Sequence, residues 1–320
     1  MRYNDKETTA TRRYILMSLL GKVFKWGCTV KDSFRDIGLK FPADVDAKCN
    51  IRYVEGSRGK YNLLDVYLPK DISGKLPVIV NVHGGGYVYG KKELYKHYGM
   101  FMAQQGFVFV SHNYHLAPRR KFPTQLIETN TVMEWIVNNA DEYNMDISNM
   151  FLVGDSAGAQ MASHYAAIYS NPAYAAAFPF TVPTEIKIRA IALNCGIYDF
   201  PLDDKPLKSS HAKVGLSVAP FIRDYLGKDL KPLDKMLHIT ENITKDFPPA
   251  FVMTGEYDFL KSQAYPMYET LLGKGVPCEY KLYGKKGDKH VAHIFHANMH
   301  LAEAAECNLT ECAFFRSHTV

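Results

Sequence analysis

The 320-residue sequence has no long uninterrupted hydrophobic run, no block of like charge and no CxxC pair. A bilayer-spanning helix needs about 20 mostly apolar residues, so no stable membrane insertion is expected. The 38 Lys and Arg and the 33 Asp and Glu are interspersed and leave a net charge of only +5, so nucleic acid is not an expected partner. Six cysteines without pairing spacing predict free thiols and a cytoplasmic location.

Near the N-terminus, apolar pairs recur at helical spacing with basic residues between them. The apolar pairs are Ile15/Leu16, Leu19/Leu20 and Val23/Phe24, and the basic residues are Arg12, Lys22 and Lys25. The run over 14–21 is far too short to cross a bilayer, and no small-residue cleavage site follows it. We predict an amphipathic helix that packs on the protein body, with a membrane surface as the less favoured alternative.

From about residue 50, short β-rich runs alternate with helical patterns. The eight runs are 51–56, 62–68, 77–83, 107–114, 150–154, 188–194, 250–255 and 278–283, and helical patterns lie near 93–105, 124–140, 157–170 and 262–273. The middle runs are continuously apolar, which is typical of parallel strands covered on both faces. The first two alternate and suit an antiparallel edge hairpin. The pattern predicts an open, mostly parallel eight-stranded α/β sheet flanked by helices.

Two segments do not fit this alternation. Residues 1–48 precede the first run, and residues 197–248 separate the sixth run from the seventh with five prolines. The second segment is too long for an ordinary loop, so short helices are expected in it. We therefore predict a catalytic domain from 49–196 and 249–320, covered by a helical cap from 1–48 and 197–248.

One serine stands between a strand and a helical pattern. Ser156 follows the run that ends at Gly154-Asp155, and Ala157-Gly158 follow it. Small residues two places on either side allow a sharp strand-to-helix turn that exposes the serine Oγ above the sheet. The pattern predicts a catalytic nucleophile, and the alternative is a helix N-cap serine.

A second glycine-rich motif, HGGG, covers His83 to Gly86 after an apolar strand. Free backbone amides in such a loop can bind the oxyanion of an acyl-transfer reaction. A rival interpretation is a phosphate loop, because Gly85 to Lys91 fits G-x-x-x-x-G-K. That interpretation is weak, since Lys92 stands where Ser or Thr would hold Mg²⁺.

The two motifs together resemble the hormone-sensitive-lipase-like family of α/β-hydrolase esterases. The segments NYHLAPRRKFP (113–123) and EWIVNNADEYNMDISNMFLVGDSAG (134–158) extend the resemblance, which covers about residues 50–300. Three departures are visible. Arg119 replaces a glutamate, Glu128 stands where aspartate is usual, and the loop before the expected histidine is longer than in the family.

The resemblance implies the roles of the site residues. The triad would be Ser156, Asp258 in TGEYDFL and His293 in an H-x-F pattern, with Glu256 and His290 as rivals for the acid and the base. The oxyanion hole would consist of the amides of Gly85, Gly86 and Ala157. Supporting motif positions would be His83, Gly84, Gly154, Asp155 and Gly158. A metal site among His290, His293, His296 and His300 is the weak alternative, because no HExxH or cysteine pattern supports it.

These residues predict a serine carboxylesterase that hydrolyses short-chain acyl esters through an acyl-enzyme intermediate. No metal or organic cofactor is expected, and the expected partner is a small acyl ester, with a homodimer left open. The alternatives are an amidase or deacetylase with the same triad and a non-catalytic ligand-binding protein on the same fold.

Overall fold

The structure is a computed structural model and describes residues 17–200 and 218–320. Its eight strands form one sheet in the order β1-β2-β4-β3-β5-β6-β7-β8. The strands are β1 (Val45–Arg52), β2 (Leu63–Pro69), β3 (Leu76–Val82), β4 (Val108–His112), β5 (Met145–Asp155), β6 (Ile188–Asn194), β7 (Ala250–Gly255) and β8 (Cys278–Tyr283). Strand β2 is antiparallel to β1 and to β4, and every other pair is parallel. The predicted fold class is confirmed.

Helices cover both faces of the sheet. They are α1 (Leu19–Arg35), α2 (Lys96–Gln104), α3 (Thr124–Asn139), α4 (Ala157–Ser170), α5 (Pro172–Ala175), α6 (Ala219–Leu226), α7 (Asp234–Leu237), α8 (Ile239–Asn242), α9 (Lys261–Gly273) and α10 (Ala302–Ser317). Single 3₁₀ turns lie at Lys92–Tyr95, Lys231–Leu233 and Phe295–Ala297.

The central strands are apolar because both of their faces are buried. In β3, Val78 and Val80 belong to the core beneath α3, α4 and α9, whereas Ile79 between them belongs to the core beneath α2 and α10. Side chains of a strand point alternately to its two faces, so a strand between two helical layers needs apolar residues at every position. This double burial explains the continuous apolar runs in the sequence.

The first strand begins earlier than predicted. The sequence favoured a run at 51–56, but β1 starts at Val45 and ends at Arg52, with a register irregularity between Lys48 and Ile51. Much of β1 is solvent-exposed, as expected of an edge strand, so its polar residues hide the strand pattern.

The described part of the predicted cap consists of α1, α6 and the short helices before β7. Helix α1 contacts α6 through Ser18, whose backbone N–H and hydroxyl donate to Asp224, and through Phe24, whose ring centroid lies 4.9 Å from that of Phe221. The predicted helix near the N-terminus is present but starts at Leu19 and continues to Arg35. The rest of the predicted cap, residues 1–16 and 201–217, lies outside the described residues. No helix among the described residues is long and apolar enough to span a bilayer.

Candidate active site

Ser156 occupies the sharp turn between β5 and α4. Its backbone has φ 54° and ψ −121°, a strained conformation for a residue with a side chain. The Ser156 N–H donates to the carbonyl oxygen of Asn194, at the end of β6, at 2.9 Å. The neighbouring strand therefore fixes the turn that presents the serine.

The flanking glycines allow strand and helix to approach each other closely. A Cβ atom on Gly154 would lie 2.3 Å from the carbonyl oxygen of Gly158, and one on Gly158 would lie 2.0 Å from the carbonyl oxygen of Val82. Both obstacles are backbone atoms, which cannot rotate away. No side chain fits at either position without displacement of β3, β5 or α4.

The glycine loop of residues 83–86 follows β3. Gly85 has φ +114° and Gly86 has φ +57°, which favour glycine, and a Cβ on Gly85 would lie 2.3 Å from the carbonyl oxygen of Tyr89. Within residues 17–200 and 218–320, no group accepts a hydrogen bond from the amides of Gly85, Gly86 or Ala157. These amides are available to an anion.

His83 holds the loop from below. Complete burial lowers its pKa to about 4, so the ring is neutral at pH 7, and Nδ1 lies 2.8 Å from the carbonyl oxygen of Gly84. A carbonyl oxygen only accepts, so Nδ1 carries the proton. The ring stacks on Tyr114 at 4.0 Å, and the Tyr114 hydroxyl donates to the His83 carbonyl oxygen. His83 thus shapes the loop and is not positioned to titrate near pH 7.

Asp155 connects the loop to the turn. Its Oδ1 accepts hydrogen bonds from the Tyr95 hydroxyl at 2.6 Å and from the Gly84 N–H at 3.2 Å. Complete burial raises the pKa of Asp155 to about 6. A Cβ on Gly84 would lie 2.4 Å from the Asp155 carboxylate, so this glycine also permits a close approach.

Asp258 and His293 form a hydrogen-bonded pair at the same end of the sheet. His293 Nδ1 lies 2.7 Å from Asp258 Oδ1, which also accepts from the Leu260 N–H at 2.9 Å. The Thr254 hydroxyl donates to Oδ2 at 2.8 Å. Burial acts to raise the pKa of Asp258, but the His293 charge and these hydrogen bonds hold it below its usual value. The carboxylate is therefore ionised and orients the imidazole.

The two rival residues have other partners. Exposed His290 lies with Nε2 2.9 Å from Glu303 Oε1 on α10. Glu256 accepts from Lys261 at 2.6 Å. The structure thus places His293, and not His290, against the buried Asp258.

The structure does not support the two alternative ligand sites. In the glycine loop, the Val88 and Tyr89 amides point to the Gly85 carbonyl oxygen instead of outward to a phosphate. At the position where a phosphate loop needs a hydroxyl, the buried Lys92 Nζ lies 2.7 Å from Asp65.

The histidines considered for a metal do not converge. His296 is buried against Tyr98, whereas His300 is exposed. Within the described residues, the one cluster of His, Cys, Asp and Glu with metal-ligand spacing is Cys195, Asp258 and His293. Its carboxylate already accepts three hydrogen bonds, and burial raises the pKa of the Cys195 thiol, so this donor set fits a proton-transfer pair better than a metal.

Sequence analysis missed two buried residues next to the site. The Cys195 thiol lies beside Asp258, and its residue has φ 50°. Glu311 on α10 accepts from the Asn194 amide at 3.0 Å and from the Tyr98 hydroxyl, and burial raises the pKa of Glu311 to about 7. A single Cys or Glu far along the chain carries no local pattern, so no sequence signal marked them.

Of the two substitutions that depart from the family pattern, Glu128 makes structural contacts. The Glu128 carboxylate accepts from the His115 N–H at 2.7 Å and lies 2.5 Å from the His115 ring nitrogen Nδ1. Arg119 is exposed. The longer glutamate thus anchors the segment that follows β4.

Comparisons with known proteins agree with this architecture. A family model described as alpha/beta hydrolase fold matches residues 79–296. A putative alpha/beta hydrolase of Acanthamoeba polyphaga mimivirus is 28% identical over 65% of this chain and 59% of its own length. An acetyl esterase of Salmonella schwarzengrund is 25% identical over 64% of this chain and 62% of its own length. The match thus spans about three fifths of the length of these curated relatives.

Solved structures match over more of the chain. Esterase B of Lactobacillus rhamnosis superposes with a TM-score of 0.82 at 23% identity, covering 93% of this chain and 93% of that one. An esterase of Pyrobaculum calidifontis superposes with a TM-score of 0.71 at 25% identity, covering 93% of this chain and 92% of that one. The family resemblance seen in the sequence is confirmed. Because the family model spans 218 of the 320 residues, this chain belongs to the α/β-hydrolase fold family.

Proposed function

We propose that this protein is a serine carboxylesterase that hydrolyses short-chain acyl esters through an acyl-enzyme intermediate. The observation that carries the proposal is the hydrogen bond from His293 to the buried Asp258, at the end of the sheet where the strained turn presents Ser156. A nucleophile, a base and a residue that orients the base are the minimum that acyl transfer through serine requires.

In the proposed reaction, Ser156 Oγ attacks the ester carbonyl carbon and passes its proton to Nε2 of His293. The Nδ1–H of His293 faces Asp258, which leaves Nε2 free to accept that proton. The imidazolium then protonates the departing alcohol, and an ester of Ser156 remains. Water, deprotonated by His293, attacks this ester, and the acid and free Ser156 are released.

The amides of Gly85, Gly86 and Ala157 would stabilise the oxyanion in both steps. Preorganised donors of this kind lower the barrier because they do not reorient as charge develops. The contacts from His83 and Asp155 to the Gly84 backbone support this role, since they fix the loop before substrate arrives.

A preference for short acyl chains is proposed from the cap. A Cβ atom on Gly86 would lie 3.5 Å from the rings of Phe24 in α1 and Phe221 in α6. Two aromatic side chains thus pack against the proposed oxyanion loop, where they limit the room for an acyl chain. The acetyl esterases among the relatives are consistent with this preference.

We also propose a location and a reaction partner for the whole protein. We retain a cytoplasmic location, supported by six cysteines that are all unpaired in the structure. We also retain a small ester as the partner in the reaction. A homodimer stays open, and sedimentation velocity would decide it.

Hydrolysis of a p-nitrophenyl ester series, measured beside the matching p-nitroanilides, tests the proposed function. We expect the highest kcat/KM for acetate or butyrate and little anilide turnover. Dominant anilide turnover would indicate an amidase instead. Turnover of neither series, together with no mass increase on Ser156 after treatment with a phosphonate ester, would leave only a ligand-binding protein.

A further inference from the structure

The outward face of α1 is apolar and exposed within the described part of the chain. Seven of the twelve exposed large hydrophobic side chains in the described residues lie between residues 19 and 41. Five of them belong to the helix: Leu19, Val23, Trp26, Val30 and Phe34. At about 100° per residue they fall within an arc of about 80°, so they form one stripe. Ile37 and Phe41 extend the apolar surface beyond the helix end.

This apolar stripe is unusually exposed for a packed helix. Leu19 is 78% exposed, Trp26 70% and Phe34 68%. Isolated exposed apolar residues are ordinary, but a continuous row of them on one element marks an interaction surface. Four of the remaining five exposed hydrophobic residues are scattered over α9, β8 and α10, and the fifth is the C-terminal Val320.

The exposed charges of residues 19–41 have one sign. Lys22, Lys25, Lys31 and Lys40 are all exposed. The acidic residues of the same segment are largely buried and paired. Asp32 accepts from the Tyr89 hydroxyl at 2.9 Å, and Asp36 accepts from Arg35 at 2.8 Å.

The opposite face of α1 holds the helix on the protein. Gly21 is buried against Asp224, and Phe24 packs on Phe221. The helix therefore packs one face on α6, whereas its far side stays exposed among residues 17–200 and 218–320. This division of faces means that the outward stripe is not needed for the contacts that hold α1 in place.

We propose that the outward face of α1 and the turn after it bind the surface of an anionic lipid bilayer. The apolar stripe would enter the boundary between headgroups and acyl chains, with Trp26 in the interfacial layer that tryptophan favours. The lysines beside it would contact anionic headgroups. This binding is peripheral, so it agrees with the lack of a spanning helix among the described residues.

The charge pattern favours a membrane over a second copy of the chain. A two-fold dimer through this face would place the stripe and its lysines against the same lysines of the partner. An anionic bilayer offers both an apolar layer and the opposite charge. If the proposed esterase function holds, the bound helix would also bring the cap close to esters dissolved in the membrane, and this last step rests on that function.

Vesicle sedimentation with the full chain tests the proposal. We expect binding to phosphatidylcholine vesicles that contain phosphatidylserine and much weaker binding to pure phosphatidylcholine. Ionic strength of about 1 M, where the Debye length is about 3 Å, should weaken the binding. The double variant W26S/F34S should lose at least about tenfold in affinity. The variant K22Q/K31Q, which neutralises the helix lysines that flank the stripe, should lose the preference for phosphatidylserine.

A matched control removes exposed apolar side chains elsewhere. The variant L272S/L309S changes α9 and α10 and should bind like the wild type. Hydrolysis of dissolved p-nitrophenyl acetate by W26S/F34S should be unchanged. The Ser156→Ala variant should still bind vesicles, so a failure of the proposed function would leave the lipid result intact.

Fluorescence supplies an independent readout, because the chain has only two tryptophans, Trp26 and Trp135. In a Trp135→Phe variant, vesicles should shift the Trp26 emission to shorter wavelength. Equal sedimentation of the wild type and W26S/F34S, or an unchanged Trp26 spectrum, would overturn the proposal. A dimer that W26S/F34S dissociates, without vesicle binding by the wild type, would overturn it in favour of a second copy.

Discussion

The turn around Ser156 and the cap above it are held together in opposite ways. At the turn, backbone packs on backbone, and Gly154 and Gly158 leave no room for any side chain. In the cap, α1 meets α6 through side chains, namely Ser18 with Asp224 and Phe24 with Phe221. The proposed chemistry thus resides where the fold cannot vary, and the proposed selectivity resides where single side chains can change it. Substitutions in the two regions should therefore have different effects.

The largest effect is expected from Ser156→Ala. Loss of a triad nucleophile typically lowers kcat by a factor on the order of 10⁶. The fold should be unchanged, because alanine fits the same strained backbone and the serine hydroxyl supports no strand contact. Turnover of p-nitrophenyl acetate measures the loss of kcat, and the far-UV circular dichroism spectrum checks that the fold is unchanged. More than about a tenth of wild-type turnover would rule out Ser156 as the nucleophile.

The next effect separates His293 from His290. His293→Ala should lower kcat by a factor on the order of 10³ or more, because the base hydrogen-bonded to Asp258 would be lost. His290→Ala is the matched control, and its kcat should stay within about twofold, because an exposed pair with Glu303 contributes little. An inactive His290 variant beside an active His293 variant would reverse the assignment.

A smaller effect is expected on the free energy of unfolding, through the buried Glu311. The folded-state pKa of Glu311 is raised to about 7, so the folded protein binds more protons than the unfolded chain between about pH 4.5 and pH 7. The free energy of unfolding should therefore fall as pH rises through this window. At about 1.4 kcal/mol per pKa unit, the loss amounts to a few kcal/mol.

Glu311→Gln removes the titration while keeping an acceptor for Tyr98. Urea unfolding of both proteins at several pH values gives the comparison, and other buried acids such as Asp155 cancel in the difference. We expect the variant to gain stability relative to the wild type above pH 7. Parallel pH profiles for the two proteins would show that Glu311 is ionised in the fold without penalty.

The smallest effect tests the cap. Phe24→Ala should raise kcat/KM for a p-nitrophenyl octanoate relative to the acetate by about tenfold, because a ring beside Gly86 is removed. Val23→Ala, one residue away on the outward face, should leave this ratio within about twofold. An unchanged ratio in the Phe24 variant would show that α1 does not set the acyl selectivity.

The elements with strong periodicity could be predicted closely. Helices α3, α4 and α9 begin and end within about one residue of their predicted bounds, because their apolar residues recur at helical spacing over their whole length. The central strands could be predicted from their long apolar runs, since both of their faces are buried. The structure also places Asp258 against His293, a pairing that the family resemblance implied.

The missed features depend on contacts that no local pattern reveals. The second half of α1 is rich in polar residues. Its inner face is held by the hydrogen bonds of Asp32 with the Tyr89 hydroxyl and of Arg35 with the Leu94 carbonyl oxygen. Strand β1 is an exposed edge strand, so its first residues are polar and their sequence does not indicate a strand. Cys195 and Glu311 reach the site from separate parts of the chain, and only the folded structure brings them together.

Three glycines around the turn, Gly84, Gly154 and Gly158, have a consequence for laboratory evolution of this protein. A Cβ atom would meet the Gly158 carbonyl oxygen from Gly154, the Val82 carbonyl oxygen from Gly158 and the Asp155 carboxylate from Gly84, each within 2.4 Å. In a library of all single substitutions, these three positions should tolerate no replacement, alanine included. Random mutagenesis would therefore explore new substrates almost entirely through the cap, and a library restricted to α1 and α6 should yield more altered-specificity variants per clone than one spread over the whole gene.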